Sequence, residues 1–178
     1  MDIQAIIKKF YTEGTKLHDI YLSHVTDVTN KALSIAEKHP ELAVNTRFIE
    51  EAGMLHDIGI FMTNAPHIAC KGSYPYICHG YLGRELLELE GYPKHALVCE
   101  RHTGTGLSLE GIIKRKLPIP HRDMRPVSLE EKIICFADKF FSKSRLGKEK
   151  SLKKIRQGLK RHDWHQVKVF DEWCELFL

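Results

Sequence analysis

Six histidine and aspartate side chains have the types and the context that a metal site requires. In the stretch GMLHDIGIF, residues 53–61, His56 and Asp57 interrupt an otherwise apolar run that contains no Lys or Arg. Burying an imidazole beside a carboxylate is costly unless both are paired or bind a cation. Neighbouring side chains on a helix diverge by about 100°, so a metal ion shared with other segments would satisfy both. The other candidate ligands are His24, His79, His102 and Asp138.

Context, not the dipeptide itself, makes this pair informative. His-Asp also occurs at residues 18–19 and 162–163, where a surface pair or a helix cap explains it. Asp138 is in a similar position to the central pair, because Phe and Ala residues surround it in IICFADKFF. An unpaired carboxylate there would either have a raised pKa or stay exposed. A cation bound to Asp138 would instead allow the carboxylate to be both buried and ionised.

The three remaining histidines each allow a simpler interpretation. His24 is expected on the apolar face of a helix, where a single histidine is more often a hydrogen-bonded core residue. His79 opens one predicted helix and His102 closes another, and histidines at such ends are commonly exposed. Each signal is weak alone. Six such residues on separate helices together predict a metal site.

Helical periodicity runs through the whole chain, and no alternating strand pattern of useful length occurs. Pro40 ends one helix, glycines end others (Gly59, Gly91 and Gly104), and Ser128 with Glu131 forms a capping box. The predicted helices cover residues 2–13, 17–38, 46–58, 79–90, 93–102, a short stretch after Ser108, 128–143, 150–161 and a last stretch after Asp163. Loops are predicted at 61–77 and 115–127. We therefore expect one all-α domain over residues 1–178, with helices 150–178 packed on the rest.

Composition narrows the class of protein. A chain of 178 residues with 43% hydrophobic residues can form one domain with a sizeable core. We expect a cytoplasmic protein without membrane association, because no signal peptide is evident and no apolar run approaches roughly 20 residues. Five scattered cysteines fit reduced thiols. The net charge of +4 allows anionic partners. Oligomeric state is left open, and a dimer is compatible with the sequence.

The ordered pattern His, His-Asp, His, His, Asp resembles the HD-domain metal-dependent phosphohydrolases of binuclear type. The segments that carry the resemblance, between about residues 20 and 145, are HVTDVTNKALSIAE, LHDIGI, CHGYLGRELL, ERHTGTGL and SLEEKIICFADK. Within the superfamily, the sequence is most similar to bacterial symmetrical diadenosine tetraphosphatases of HD type and to small uncharacterised HDIG proteins. The resemblance implies a helical bundle around metal ions. It also implies hydrolysis of a phosphoester or phosphoanhydride bond in a nucleotide or dinucleoside polyphosphate.

The resemblance also implies a ligand set. His24, His56, Asp57 and Asp138 would hold a first metal, and Asp57 would bridge to a second metal held by His79 and His102. Imidazole and carboxylate ligands without thiolate suit two divalent ions, Fe or Mn first, with Co, Ni, Zn or Mg as alternatives. Such ions would generate a hydroxide nucleophile.

Basic residues are expected to contact the phosphates of the substrate. The candidates by position are Lys71, Arg84, Arg101, Lys139 and Arg145. The stretch ADKFFSKSR departs from the tetraphosphatase pattern, in which an arginine follows the last aspartate more closely. The triplet Gly91-Tyr92-Pro93 is interpreted as a turn, because the paired residues that mark cyclic-dinucleotide phosphodiesterases are missing.

Three alternatives stay open at this stage. The first is a zinc site made of His95, Cys99 and His102, closed by Cys70 or Cys78, although no CxxC pattern supports it. The second is a regulatory module that binds metal and nucleotide without turnover. The third is nucleic-acid binding by the basic segment 143–161, which lacks the interleaved aromatic residues of single-strand binders. Loop residues 121–125 either contact phosphate or are solvated. A small phosphorylated substrate, most simply a nucleotide, is the expected partner.

Overall fold

The computed structural model describes all 178 residues and is 64% helical, which confirms the all-α prediction. A two-residue hairpin in the loop after the third helix was not predicted; it pairs β1 (Asn64–Ala65) antiparallel with β2 (Cys70–Lys71). The helices are α1 (Ile3–Phe10), α2 (Lys16–Lys38), α3 (Thr46–Leu55), α4 (His79–Leu89), α5 (Pro93–Arg101), α6 (Leu109–Lys114), α7 (Leu129–Asp138), α8 (Leu152–Lys160) and α9 (Trp164–Phe177). Short 3₁₀ turns cover Pro40–Leu42, Ile58–Met62, Pro66–Ile68 and Tyr76–Cys78. No helix is both long enough and apolar enough to cross a bilayer.

The predicted cap at Ser128 is present, but only half of the capping box forms. The Ser128 hydroxyl accepts a hydrogen bond from the Glu131 amide at 3.2 Å. The Glu131 carboxylate does not return to Ser128; it accepts from the Val127 amide at 2.8 Å and pairs with Arg101 at 3.0 Å. This ties the start of α7 to the end of α5, and both helices end in the candidate site.

Three helices end earlier than the sequence pattern predicts. Helix α1 ends at Phe10 rather than residue 13, α3 at Leu55 rather than 58, and α7 at Asp138 rather than 143. At the last of these, the Lys150 ammonium donates to the carbonyl oxygens of Lys139 (3.1 Å) and Phe141 (2.5 Å). Carbonyl groups at a helix end need partners outside the helix, and Lys150 supplies them. The chain therefore turns back at this point instead of continuing as a helix.

Gly59 does not have the left-handed conformation that the sequence suggested, whereas Gly91 and Gly104 do, with φ of 85° and 62°. Gly59 lies in the 3₁₀ turn Ile58–Met62 and packs against the start of α4. A Cβ atom at Gly59 would lie 2.4 Å from the His79 carbonyl oxygen and 2.5 Å from the Gly83 amide nitrogen. Glycine is needed here for close packing and not for backbone conformation.

Three apolar clusters hold the helices in place, and the two larger ones lie on the helices that carry the candidate site; the third joins α6 to the start of α4. The largest one joins α2, α3, α7 and the C-terminal helices, with Phe136 of α7 stacked on Phe170 of α9 at 5.2 Å between ring centroids. Ile155 and Leu159 of α8 are buried in it, as the apolar stripe of that helix predicts. The second cluster packs α1 and the start of α2 against the turn after α3 and against α4 and α5. Residues between these two clusters form the candidate site.

Candidate metal centre

Five segments bring the six predicted ligands together. His24 lies within α2, and His56 and Asp57 directly follow α3. The other three lie at helix ends: His79 is the first residue of α4, His102 directly follows α5, and Asp138 is the last residue of α7. His79 and His102 are only 4% and 3% exposed, so the expectation that histidines at helix ends are exposed is wrong here.

The first group contains His24, His56, Asp57 and Asp138, whose ligand atoms all lie within 4.8 Å of one another. His24 Nε2 is 3.1 Å from Asp57 Oδ2 and 3.1 Å from Asp138 Oδ1. His56 Nε2 is 3.0 Å and 3.7 Å from the same two oxygens. Two imidazole nitrogens and two carboxylate oxygens thus face one point.

The second group contains Asp57, His79 and His102, also within 4.8 Å of one another. Here the other oxygen of the same carboxylate is involved: Asp57 Oδ1 is 3.5 Å from His79 Nε2 and 3.4 Å from His102 Nε2. The two histidine nitrogens are 3.0 Å apart. Asp57 therefore directs one oxygen at each group.

Several buried polar atoms of the site make no hydrogen bond of regular geometry: both ring nitrogens of His24, Nε2 of His56 and both carboxylate oxygens of Asp57. Apart from His24 Nδ1 they face one another, and Asp57 Oδ2 also lies beside the Lys143 ammonium. A buried polar group without a partner costs about 1–3 kcal/mol, and more when it is charged. A concentration of such atoms at one point fits a cation that accepts their lone pairs, so the residues present fit the metal ions that the sequence predicted.

Backbone carbonyl groups orient three of the histidines in the same way. Nδ1 of His56 donates to the Gly53 carbonyl (2.7 Å), and Nδ1 of His79 donates to that of Tyr76 (2.6 Å). Nδ1 of His102 donates to the Cys99 carbonyl at 2.7 Å. A carbonyl oxygen can only accept, so each Nδ1 carries a proton and each Nε2 is the nitrogen that faces the centre. This is the usual support for a metal-binding histidine.

Two lysines place positive charge beside the carboxylates. Lys143 Nζ lies 2.5 Å from Asp57 Oδ2, and Lys139 Nζ lies 2.8 Å from Asp138 Oδ2. Burial alone would raise the pKa of Asp57, but Lys143 and His56 together hold it well below its usual range. The pKa of Asp138 is likewise held well below its usual range, with Lys139 the main opposing charge to burial. Both carboxylates are therefore ionised and able to bind cations.

The histidines of the two groups differ in charge. Burial favours neutral His56, but the Asp57 and Asp138 carboxylates outweigh it and raise its pKa to about 9. Burial and the neighbouring His102 lower the pKa of His79 to about 3. Burial also lowers the pKa of His102, against the attraction of Asp57. His79 and His102 of the second group are therefore neutral imidazoles, which is the form that binds metal.

A cavity of about 660 Å³ opens beside the first group. Its inner end contains His24 and Asp138, and its outer wall is formed by α8 and the turn before it. Six cationic side chains line it against one carboxylate, Asp138; the cations are Arg115, Lys139, Lys143, Lys150, Lys154 and Arg161. Leu107, Ile155 and Leu159 add an apolar surface. The cavity suits an anionic ligand that also has an apolar part.

The structure does not bring most of the predicted phosphate-binding residues into this cavity. Lys71 and Arg145 are exposed, and neither lines the cavity. Arg84 forms ion pairs with Glu88 (2.7 Å) and with the buried Glu100 (2.6 Å). Arg101 pairs with Glu131, as described above. Only Lys139 of the five predicted basic residues lies at the site.

Sequence reasoning missed Lys143, which it counted only as the first residue of the basic segment 143–161. A signal was present in the sequence: Ser142 and Ser144 flank Lys143, and serine favours turns over helix interiors. The structure ends α7 at Asp138, and the turn that follows returns Lys143 to the carboxylate of Asp57.

The structure does not support the alternative zinc site. His95 Nε2 lies 3.2 Å from Glu51 Oε2, and the Cys99 thiol donates to the Leu55 carbonyl at 3.2 Å. Neither residue belongs to a group of converging ligands. In the 121–125 loop, Arg122 pairs with Glu100 and Arg125 pairs with Asp123 at 2.6 Å. These loop cations are already compensated within the protein.

The fold and the site define a helical protein built around a buried histidine–aspartate cluster that could hold metal ions. The chain belongs to the HD-domain family: the family model for the HD domain matches residues 21–142. The superfamily predicted from the motifs is therefore confirmed.

Three curated relatives are similar to the chain. An uncharacterised protein of Methanocaldococcus jannaschii is 31% identical over 157 residues, which is 87% of this chain and 83% of the relative. Two proteins named tRNA (cytidine(56)-2'-O)-methyltransferase, from Picrophilus torridus and Thermoplasma volcanium, are 30% and 27% identical. These alignments cover 82% and 79% of this chain but only 38% and 37% of the methyltransferases. No solved structure matches the chain significantly.

Proposed function

We propose that this protein is a metal-dependent phosphohydrolase that acts on a phosphorylated nucleotide. Membership of the HD-domain family and the buried His/Asp cluster support a metal-dependent phosphohydrolase in general. The observation that carries the proposal is the convergence of buried imidazole nitrogens and carboxylate oxygens on one point beside a cationic cavity.

His24, His56, Asp57 and Asp138 would hold one metal ion, and Asp57, His79 and His102 a second. Support for a bridging role of Asp57 comes from its two oxygens, one of which faces each group. When bound, divalent ions of this kind lower the pKa of a water molecule and polarise a phosphoryl oxygen. Nitrogen and oxygen ligands without thiolate suit Fe or Mn.

Backbone and side-chain groups of the chain have three roles in this function. The carbonyl groups that bind Nδ1 of His56, His79 and His102 keep each Nε2 aimed at the centre. Lys139 and Lys143 pair with Asp138 and Asp57; with metal ions bound to these carboxylates, the two ammonium groups would be available to offset the charge of a phosphoryl group during transfer. The apolar wall of the cavity excludes water from one side of the ligand, which strengthens these electrostatic interactions.

A second candidate substrate is RNA. Two relatives are named as tRNA methyltransferases, and this chain corresponds to little more than a third of each. Their methyltransferase activity belongs to the whole proteins and is not proposed for this chain. The cations of α8 at the cavity wall favour either a polyphosphorylated nucleotide or the phosphodiester backbone of RNA.

Metal analysis together with a hydrolysis panel tests the proposed function. Protein purified without chelator should contain divalent metal, and Mn²⁺ should support phosphate release from at least one nucleotide or dinucleoside polyphosphate. Asp57→Asn should lose both metal and turnover while circular dichroism stays unchanged. His95→Gln is the matched control, because His95 lies outside both groups. Full activity of Asp57→Asn, or no turnover of any substrate with Mn²⁺ or Fe²⁺, would overturn the proposal.

A further inference from the structure

The outer wall of the cavity carries positive charge that the protein itself does not compensate. Arg115, Lys150, Lys154 and Arg161 line the cavity, and none of them lies within 4.0 Å of a carboxylate. By contrast, Lys139 and Lys143 at the inner end are paired with the ligand carboxylates. The cavity therefore has a neutralised inner end and an uncompensated cationic outer end.

Two cations of α8 that lie outside the cavity have partners. Arg156 pairs with Asp171 of α9 at 2.6 Å. Lys160 lies over the Trp164 ring at 5.3 Å from its centroid. Lys154, in α8, and Arg161, which directly follows the helix, line the cavity and have no such partner.

The Lys150 ammonium is held in a fixed position at the cavity. Its ammonium is bound by the carbonyl oxygens of Lys139 and Phe141 at the end of α7. Burial lowers its pKa, and repulsion from Lys139, Lys143 and Lys154 acts in the same direction, against the attraction of Asp138. A cation fixed among other cations is relieved electrostatically when an anion binds.

We propose that Lys150, Lys154 and Arg161 form a second anion subsite, which binds a phosphate group of the substrate other than the one that is hydrolysed. The substrate is then a nucleotide with at least two phosphate groups, such as a nucleoside polyphosphate. Its base or sugar would rest on the apolar surface of Ile155 and Leu159. These residues lie beyond the segment 21–142 that the HD-domain model matches, so the subsite is a property of this chain's C-terminal helices. The inference rests on the proposed function in treating the ligand as a substrate.

Binding measurements in EDTA test the subsite apart from catalysis. The ligands are adenosine and ATP, titrated by calorimetry into wild-type protein and into Lys154→Gln/Arg161→Gln. Because a hydrogen bond to a charged group contributes about 1.5–3 kcal/mol, the double variant should bind ATP at least about tenfold more weakly. Its affinity for adenosine, which has no phosphate group, should stay the same.

Lys153→Gln/Lys160→Gln is the matched control, since it removes two charges from the same helix outside the cavity. It should bind both ligands as the wild type does. Equal loss of ATP affinity in both double variants, or equal loss of adenosine and ATP affinity, would overturn the subsite. So would tight binding of a single-stranded RNA oligonucleotide that both double variants weaken, in the absence of ATP binding. Phosphate release with Mn²⁺ is scored separately, so failure of the proposed function and failure of the subsite give different results.

Discussion

Replacing Lys143 with methionine should make the protein bind its first metal ion more tightly. The Lys143 ammonium lies 2.5 Å from Asp57 Oδ2, the oxygen that faces His24 and His56. Asp57 is completely buried and the Lys143 side chain is 11% exposed. In metal-free protein this ammonium is the main positive charge that stabilises the Asp57 carboxylate. A metal ion at the first group needs the same oxygen, so lysine and metal compete for it.

The size of the effect follows from the cost of leaving a buried charge unpaired. Removing one partner of a buried ion pair costs about 3–5 kcal/mol. The cost falls on metal-free Lys143→Met, because bound metal neutralises Asp57 in its place. Mn²⁺ affinity should therefore increase about a hundredfold or more, since each 1.4 kcal/mol is a factor of about ten. Thermal stability in EDTA should fall by about 6–20 °C, at about 2–4 °C for each kcal/mol in a chain of this size.

Competition with a fluorescent chelator measures the Mn²⁺ affinity, and calorimetry with and without Mn²⁺ measures the stability. Lys148→Met is the matched control, because Lys148 is exposed in the same turn and pairs with no carboxylate. It should change neither quantity. An unchanged or weaker Mn²⁺ affinity in Lys143→Met would refute the reasoning, because it would mean that the ammonium and the metal do not compete for Asp57.

Three further predictions follow from packing and burial. Gly59→Ala should destabilise the protein by about 1–3 kcal/mol, because its Cβ would meet backbone atoms of α4; Gly158→Ala in α8, where nothing lies within 4 Å, should stabilise it by about 0.5–1 kcal/mol in thermal melts. In EDTA, the contribution of His56 to the free energy of unfolding should be complete below pH 6.5 and lost as pH rises through 9, because the pKa of His56 is raised to about 9. An equal loss of stability over this pH range in His56→Gln would contradict this. Burial raises the pKa of Cys70 to about 11 and of Cys135 to about 12, so native protein at pH 8 should react slowly with a thiol reagent at these positions, and rapid labelling of either one would count against the packing.

The fold was predictable because helical periodicity depends on local sequence. Apolar residues recurring at i, i+3 and i+4 identified each helix, and the cap at Ser128 predicted the start of α7 correctly. Helix ends were less predictable, because they depend on distant groups. The end of α7 is stabilised by Lys150, twelve residues beyond Asp138 along the chain, and no pattern within the helix contains that information. Gly59 is a similar case, because the backbone of α4 packs against it and the local sequence does not show that contact.

The candidate site was also predictable only in part: its candidate ligands were identified from the sequence, but most of its basic residues were not. The six histidines and aspartates could be chosen because each is chemically conspicuous in its own segment, and the structure brings all six together. Basic residues are not conspicuous in a chain with 27 of them, and position along the chain was a poor guide. Arg84 looked available, but it compensates Glu100, which is buried and also pairs with Arg122. Only the three-dimensional structure shows which cations are already compensated and which remain for a ligand.

The early end of α7 links the metal site to the ligand cavity. The sequence pattern predicts that the helix continues to residue 143, but Lys143 reaches Asp57 from the turn that follows α7. Because α7 stops at Asp138, the same turn delivers Lys143 to Asp57 and places Lys150 against the helix end. A ligand phosphate that binds Lys150 therefore acts on the turn that carries Lys143, of which residues 141–144 line the cavity. Occupancy of the outer subsite and access of metal to Asp57 are expected to be coupled through this turn. Mn²⁺ affinity measured with and without ATP, after subtraction of the Mn²⁺ that ATP itself binds, would show the coupling as a reciprocal change.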